Sequence, residues 1–438
     1  MSRRSRVPAA FAVAVLTAVS APVAQAAEEP TPPFDQVANC VSFGRAIEPV
    51  SDAVSPGQRL VGQTQLWELS RGAGVTVAII DTGVNPGPAF GDRLRGGADL
   101  VVPDSATAGL QDCDGHGTLV AGLIGAAPDT TSGFAGVAPD VQLLSIRHNS
   151  LAFAPKGTRT AGVGGVGSLA QAIDLAVSKG ADVINISSAY CGPALTANDE
   201  RLTAAVDRAV AADVVVVVAA GNLGTTAACS AQNMPGQAPV TGATPANIPS
   251  ALTVGAVTAA GQPAEFSLAG SWVDLAAPGA KVISTNPHPT QSGQVGTVVG
   301  TEGDVEIQGT SFAAPYVTGI VALVRARFPR LTAAQVVFRL QATADHPAGT
   351  GEQNIFVGHG IVNARRALTA VLPAEGGESA PAPTRAAALP GGTGSAPEAG
   401  GGSIAVIGSG LLLAVLVAAV LARSIRRRAA ASRSGIPT

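Results

Sequence analysis

Charge is scarce in this chain. Of its 438 residues 13% are charged and 46% hydrophobic, and the formal net charge is −3. No cluster of lysines and arginines occurs away from the two ends, which argues against nucleic acid as a partner, because phosphate recognition needs concentrated positive charge. Cysteine is scarce as well. The 4 present include no C-x-x-C pair, which removes the usual zinc-binding spacing. The acidic residues form no recognisable calcium loop. No cofactor and no metal site are expected. What remains is apolar material enough for one large domain with a sizeable core.

Two long, apolar, uncharged runs lie near the two ends. Arg3, Arg4 and Arg6 precede an apolar stretch from Ala9 to Val19, and small residues around Ala24-Gln25-Ala26 follow. That order is the pattern of an export signal over residues 1–27. The second run, Ile404 to Ala422, is uncharged and long enough for a membrane-spanning helix. Arg423, Arg426, Arg427 and Arg428 come directly after it, so the positive-inside rule puts the tail, 423–438, in the cytoplasm and the rest outside. Residues 372–402 are Pro, Ala, Gly, Glu and Ser with almost no large apolar side chain. Such a composition reads as a disordered tether with a reach of roughly 30 Å. The expected topology is a single-pass cell-membrane protein with its folded domain extracytoplasmic.

Residues 28–65 form a proline-containing extension that carries Cys40. From residue 66 to 371 the texture becomes short β-branched runs alternating with helix-like stretches. Strands are expected at Val75–Ile80, Val141–Ile146, Val183–Ser187, Val214–Ala219, Ala251–Val257 and Val282–Ser284. Helices are expected at Gly117–Ile124, Ser168–Lys179, Asp199–Ala211 and Ala313–Arg327. Continuously apolar strands belong in parallel sheets buried on both faces, so the expected fold is α/β, a three-layer, doubly wound, mostly parallel sheet. The single C-terminal transmembrane helix would be added to it.

Three motifs carry chemistry-bearing residues. Val77-Ala78-Ile79-Ile80-Asp81-Thr82-Gly83-Val84 places a carboxylate at a strand's carboxyl end. Asp112-Cys113-Asp114-Gly115-His116-Gly117-Thr118 places a histidine at a helix start. Gly309-Thr310-Ser311-Phe312-Ala313-Ala314-Pro315 places a serine at another helix start, with the proline in what should be the first turn. Acyl transfer needs this set: an imidazole to take the serine proton and a carboxylate to orient the imidazole. A fourth segment, Ala219-Ala220-Gly221-Asn222, ends a strand on an amide suited to stabilising an oxyanion. Singly, each residue has a plain structural alternative as a turn or cap; in this order and at these ends the combination is specific. The other four histidines, His148, His288, His346 and His359, have no comparable setting and are expected on loops or the surface. Gly162-Val163-Gly164-Gly165-Val166-Gly167 spells a dinucleotide fingerprint, but no strand precedes it, so it is set aside.

These motifs resemble those of the subtilisin-like serine proteases over roughly Leu66 to Leu368. The resemblance implies Asp81, His116 and Ser311 as catalytic triad and Asn222 as oxyanion donor, in the Asp–His–Ser order of that family. It also implies that Gly164 and Gly165, and Ser187, Ser188 and Ala189, line an extended protein or peptide substrate. The chain is most similar to the mycosins, subtilases associated with type VII secretion. They share the leader, the cysteine-bearing extension, the GTSFAAP motif, the linker, the membrane helix and a stretch like Leu144-Ser145-Ile146-Arg147-His148-Asn149-Ser150. This implies limited cleavage of secretion substrates and a partnership with the secretion membrane complex; the alternatives are a chiefly structural subunit or a general surface-degrading protease. Only about 50 residues separate the leader from Asp81, too few for a separately folded inhibitory domain, so the extension is expected to be permanent. Four exported cysteines suggest two disulfides with three connectivities. Strands ending near Cys191 and Cys229 should be parallel neighbours, which favours Cys191–Cys229 and leaves Cys40–Cys113.

Overall fold

The computed structural model describes residues 34–44, 56–130, 132–192, 197–291, 293–300, 303–347 and 353–375. The leader, the linker beyond residue 375, the apolar run 404–422 and the tail lie outside these residues. Among the described residues no helix is long and apolar enough to cross a membrane.

Seven strands form one parallel sheet: β1 (Thr76–Asp81), β2 (Leu94–Asp99), β3 (Gln142–Arg147), β4 (Val183–Ile186), β5 (Val215–Ala219), β6 (Leu252–Val257) and β7 (Leu275–Pro278). Their order is β7-β6-β5-β4-β1-β3-β2, and every adjacent pair is parallel. From β1 the chain passes to the rim strand β2 and returns to place β3 between them, then crosses to β4 on the other side of β1 and continues that way. The reversal between β1 and β4 opens a crevice at their carboxyl ends, where doubly wound folds place their ligands.

The apolar runs are continuous because both faces are covered. On β1, Val77 and Ile79 join one core cluster, with Leu119–Ile124 of helix α1 (His116–Gly125) and Phe312–Val324 of helix α4 (Thr310–Arg327). Ala78 and Ile80 join the other, with Leu169, Ala172 and Ile173 of α2 (Val166–Ser178) and Leu202–Ala209 of α3 (Ala197–Ala211). Alternation of side chains across a strand divides them this way. Helices α5 (Ala333–Thr343) and α6 (Ala364–Thr369) extend the α4 side.

Some strand expectations change. Val282–Ser284 is not in the main sheet; Ser284–Thr285 makes a two-residue ribbon with Gln294–Val295. Two sheet strands had no β-branched signature. β2 reads Leu94-Arg95-Gly96-Gly97-Ala98-Asp99, with a register shift between Gly96 and Ala98. β7 reads Leu275-Ala276-Ala277-Pro278 and is an edge strand, where proline is tolerated.

The described part of the extension is attached to the domain. Phe34–Gln36 pairs antiparallel with Phe153–Pro155, and the Val41 amide donates to the Cys113 carbonyl at 2.9 Å. Cys40 is bonded to Cys113 and Cys191 to Cys229. Beneath this region lies a buried charge pair. Arg147, 0% exposed, has Nη1 at 3.4 Å from Asp99 Oδ2 and its guanidinium 4.6 Å over the Phe153 ring. Removing one charge from such a pair leaves the other desolvated and uncompensated. Asp99→Asn should therefore lower stability by about 3–5 kcal/mol in urea unfolding, and Asp99→Asn with Arg147→Met should recover most of it.

Candidate active site

The reversal of strand order brings the three motifs to one place. Asp81 ends β1 and is 2% exposed. Its Oδ1 accepts from the Thr82 amide at 2.7 Å and lies 2.7 Å from His116 Nδ1. Since the carboxylate has only lone pairs to offer, the imidazole must donate through Nδ1, which leaves Nε2 as the basic nitrogen.

His116 is the first residue of α1, and the first turn of that helix is anchored by groups outside it. The Gly117 amide donates to Thr82 Oγ1 at 2.9 Å, and the Thr118 amide to Asp112 Oδ2 at 2.8 Å. Asp112 also accepts from the Thr82 hydroxyl, the Gly115 amide and the Thr118 hydroxyl, at 2.7–2.8 Å. One buried carboxylate thus ties the strand end carrying Asp81 to the helix start carrying His116. The motif was read without a role for Asp112, although an acidic residue just ahead of a helix is a capping signal. Gly115 enters the helix at φ +75°, and a Cβ there would lie 2.0 Å from the Phe43 ring, so the extension roofs this loop directly.

Ser311 is the second residue of α4, and Phe312 after it sets its ring centroid 5.2 Å from that of His116. Among the described residues no hydrogen bond joins the Ser311 hydroxyl to the imidazole; such bonds often tighten only when substrate arrives. Asn222 lies just beyond β5. Its Oδ1 accepts from the Thr310 amide at 2.9 Å and the Thr310 hydroxyl at 3.0 Å. The carbonyl end of the amide is consumed, and its Nδ2 is turned to the Gly309–Thr310 side, 3.3 Å from where a Gly309 Cβ would stand. The Ser311 N–H, in the first helical turn, has no intrahelical acceptor. Pro315 is not in the first turn as expected but sixth in the helix.

The electrostatics suit proton transfer. Burial alone would lower the His116 pKa, but the charge and hydrogen bond of Asp81, with Asp112 and Asp114 nearby, hold it above the ordinary 6.5. Burial would raise that of Asp81; His116 and the Thr82 amide overcome this and keep it ionised. Burial pushes Asp112 up to about 6 against the pull of its Thr118 and Thr82 hydrogen bonds. His148 lies in the loop just after β3, as expected, but away from the surface: it is 1% exposed, and burial pushes its pKa down to about 4 despite Asp81, so its ring is neutral at pH 7. Its amide donates to the Asp81 carbonyl at 3.0 Å, a place no motif announced.

The two segments assigned to substrate stand at the same end of the sheet. Gly164 and Gly165 precede α2; Gly165 is extended and open, whereas a Cβ at Gly164 would lie 2.4 Å from that of Asn149. Ser187 is 3% exposed and its hydroxyl turns inward to the Ser311 carbonyl at 2.7 Å, away from the crevice, whereas Ser188 and Ala189 are half-buried.

Comparison with known proteins agrees with this layout. The subtilase family model, peptidase S8, matches residues 72–360. Mycosin-4 of Mycobacterium tuberculosis is 42% identical over 84% of each chain. The solved MycP3 protease from the type VII (ESX-3) secretion system aligns with a TM-score of 0.71 at 39% identity, covering 78% of this chain and 95% of that one. A chain in the intact ESX-5 inner membrane complex aligns with a TM-score of 0.71 at 34% identity, covering 91% and 94%. A parallel sheet with Asp81 and His116 joined at its reversal point, and relatives of this closeness along most of its length, lead to one conclusion: the chain belongs to the subtilase family of serine endopeptidases, and within it to the mycosins.

Proposed function

We propose that the protein is an extracytoplasmic endopeptidase held at the cell membrane, with Asp81, His116 and Ser311 as its triad. The observation that carries this is the 2.7 Å bond between His116 Nδ1 and a buried, ionised Asp81, set beside the helix start that presents Ser311. Ser311 attacks a peptide carbonyl while His116 Nε2 takes its proton, then returns it to the leaving amine. Asp81 holds the tautomer and stabilises the imidazolium. The developing oxyanion sits between Asn222 Nδ2 and the Ser311 N–H, a site supported by the engagement of Asn222 Oδ1 with Thr310. The substrate is an extended segment of protein laid along Gly164–Gly165 and Ser188–Ala189.

The domain plan completes the reading: a leader at 1–27, an extension at 28–65, the peptidase domain at 66–371, a tether at 372–402, a membrane helix at 404–422 and a cytoplasmic tail at 423–438. A place in type VII secretion, cleaving its substrates and supporting its membrane complex, is favoured by the mycosin relatives and by the similar chain in the ESX-5 assembly. That assembly also favours a structural contribution alongside catalysis.

Ser311→Ala should lower kcat by about 10⁶-fold with the fold intact by circular dichroism, and unchanged cleavage would refute the assignment. Asn222→Ala should lower kcat by about 10²–10³-fold with little change in KM. Because His116 must be neutral to act as base, and its pKa is raised, kcat/KM should climb with pH through a midpoint above 6.5; a midpoint below 6 would contradict the Asp81 pairing. The mature N-terminus should follow the leader; one near Val75 would show that the extension is removed. Comparing a Ser311→Ala strain with a deletion strain separates the two roles, since loss of the secretion complex in the deletion alone means that both operate.

A further inference from the structure

The helix that presents Ser311 has a defect at the nucleophile. In α4 the Ser311 carbonyl should accept from the amide four residues on, but that residue is Pro315, which has no N–H and whose ring crowds this same carbonyl. A buried carbonyl without a donor is costly. The donor comes from the neighbouring strand end: the Ser187 hydroxyl, at 2.7 Å.

The direction of that bond is fixed from behind. Asn185, 0% exposed on β4, has its Nδ2 at 2.9 Å from Ser187 Oγ, so the hydroxyl accepts there and spends its single hydrogen on Ser311. The Asn185 amide is itself oriented by Thr318 Oγ1, which donates to Asn185 Oδ1 at 2.8 Å. Thr318 lies two turns beyond Ser311, on the same face of α4, and is 0% exposed. A single-polarity chain therefore runs Thr318 → Asn185 → Ser187 → Ser311 carbonyl, leaving α4 and returning to it through the end of β4. Each bond polarises the next.

We propose that Asn185, Ser187 and Thr318 are positioning residues of the peptidase: they lock the Ser311 backbone that Pro315 leaves without a partner, and so fix the nucleophile and its oxyanion-binding N–H. This rests on the peptidase reading above. None of the three touches the reacting atoms; they act through the carbonyl of Ser311.

The test follows the rate of Ser311 modification in the full-length chain by a fluorophosphonate probe. In that reaction the serine oxygen bonds to phosphorus, fluoride leaves and the proton passes to His116. Ser187→Ala should slow labelling about tenfold, the equivalent of one lost hydrogen bond, with peptide KM little changed. Adding Pro315→Ala supplies the missing N–H from within the helix and should restore most of the rate. Thr318→Val, which keeps the shape and removes the donor, should slow labelling by a smaller factor; it carries the test if Ser187→Ala fails to fold. A Ser187→Ala protein labelled at the wild-type rate, or slowed and not recovered by Pro315→Ala, overturns the positioning role alone. A Thr318→Val rate equal to wild type removes the deep end of the chain. A wild-type protein that takes no probe, like Ser311→Ala, overturns the peptidase reading and this inference with it.

Discussion

A carboxylate kept ionised at 2% exposure governs the architecture around it. Desolvating Asp81 is unfavourable, and the fold offsets it with the Thr82 amide and the His116 ring, both at 2.7 Å. For the ring to arrive there, α1 must begin within reach of the end of β1. Its first-turn amides are therefore met by Thr82 and Asp112 rather than by a cap within the helix itself. The same bond that stabilises the buried charge selects the histidine tautomer and leaves Nε2 as the basic nitrogen, so one interaction settles both.

Ser311 is held by a different device. Its helix starts against Asn222, whose Oδ1 accepts from the first amide of α4. Its backbone is anchored to the end of β4 through the Ser187 hydroxyl. Registers explain why one strand end can serve both halves. Ile80 is paired with Ile186 across β1 and β4, so Asp81 and Ser187 are the next residues of adjacent strands. The reversal of strand order at that pair lets α1 and α4 converge from one side of the sheet without a connection crossing between them.

The described extension belongs to this arrangement and not to an appendage. Its cysteine is bonded to the residue three before His116, and Phe43 covers Gly115 in the same loop. A glycine at φ +75° is required there twice over, by the backbone turn and by the ring above it. Mobility of the histidine loop is thereby restricted by a segment far from it in sequence.

Much of this was legible in the residues. Short, largely apolar runs identified β1, β3, β4, β5 and β6, because a strand buried on both faces has no polar side to show. The Asp81, His116, Ser311 and Asn222 motifs could be placed since each couples a polar side chain to a strand or helix end, and the adjacency of β4 and β5 made Cys191 and Cys229 natural partners. The sequence alone did not reveal β2 and β7, whose glycines, alanines and proline carry little strand signal and take their place by pairing at the rim. Nor did it reveal the roles of Asp112, Asn185 and Thr318, the inward turn of Ser187, or the burial of His148. Those depend on which strands are neighbours and in what register, and hydrogen-bond partners 88 to 133 positions apart, as at Thr310–Asn222 and Thr318–Asn185, are chosen by the packed sheet and helices and not by local pattern. Local chemistry determined what each segment offered; the tertiary fold decided what each group met.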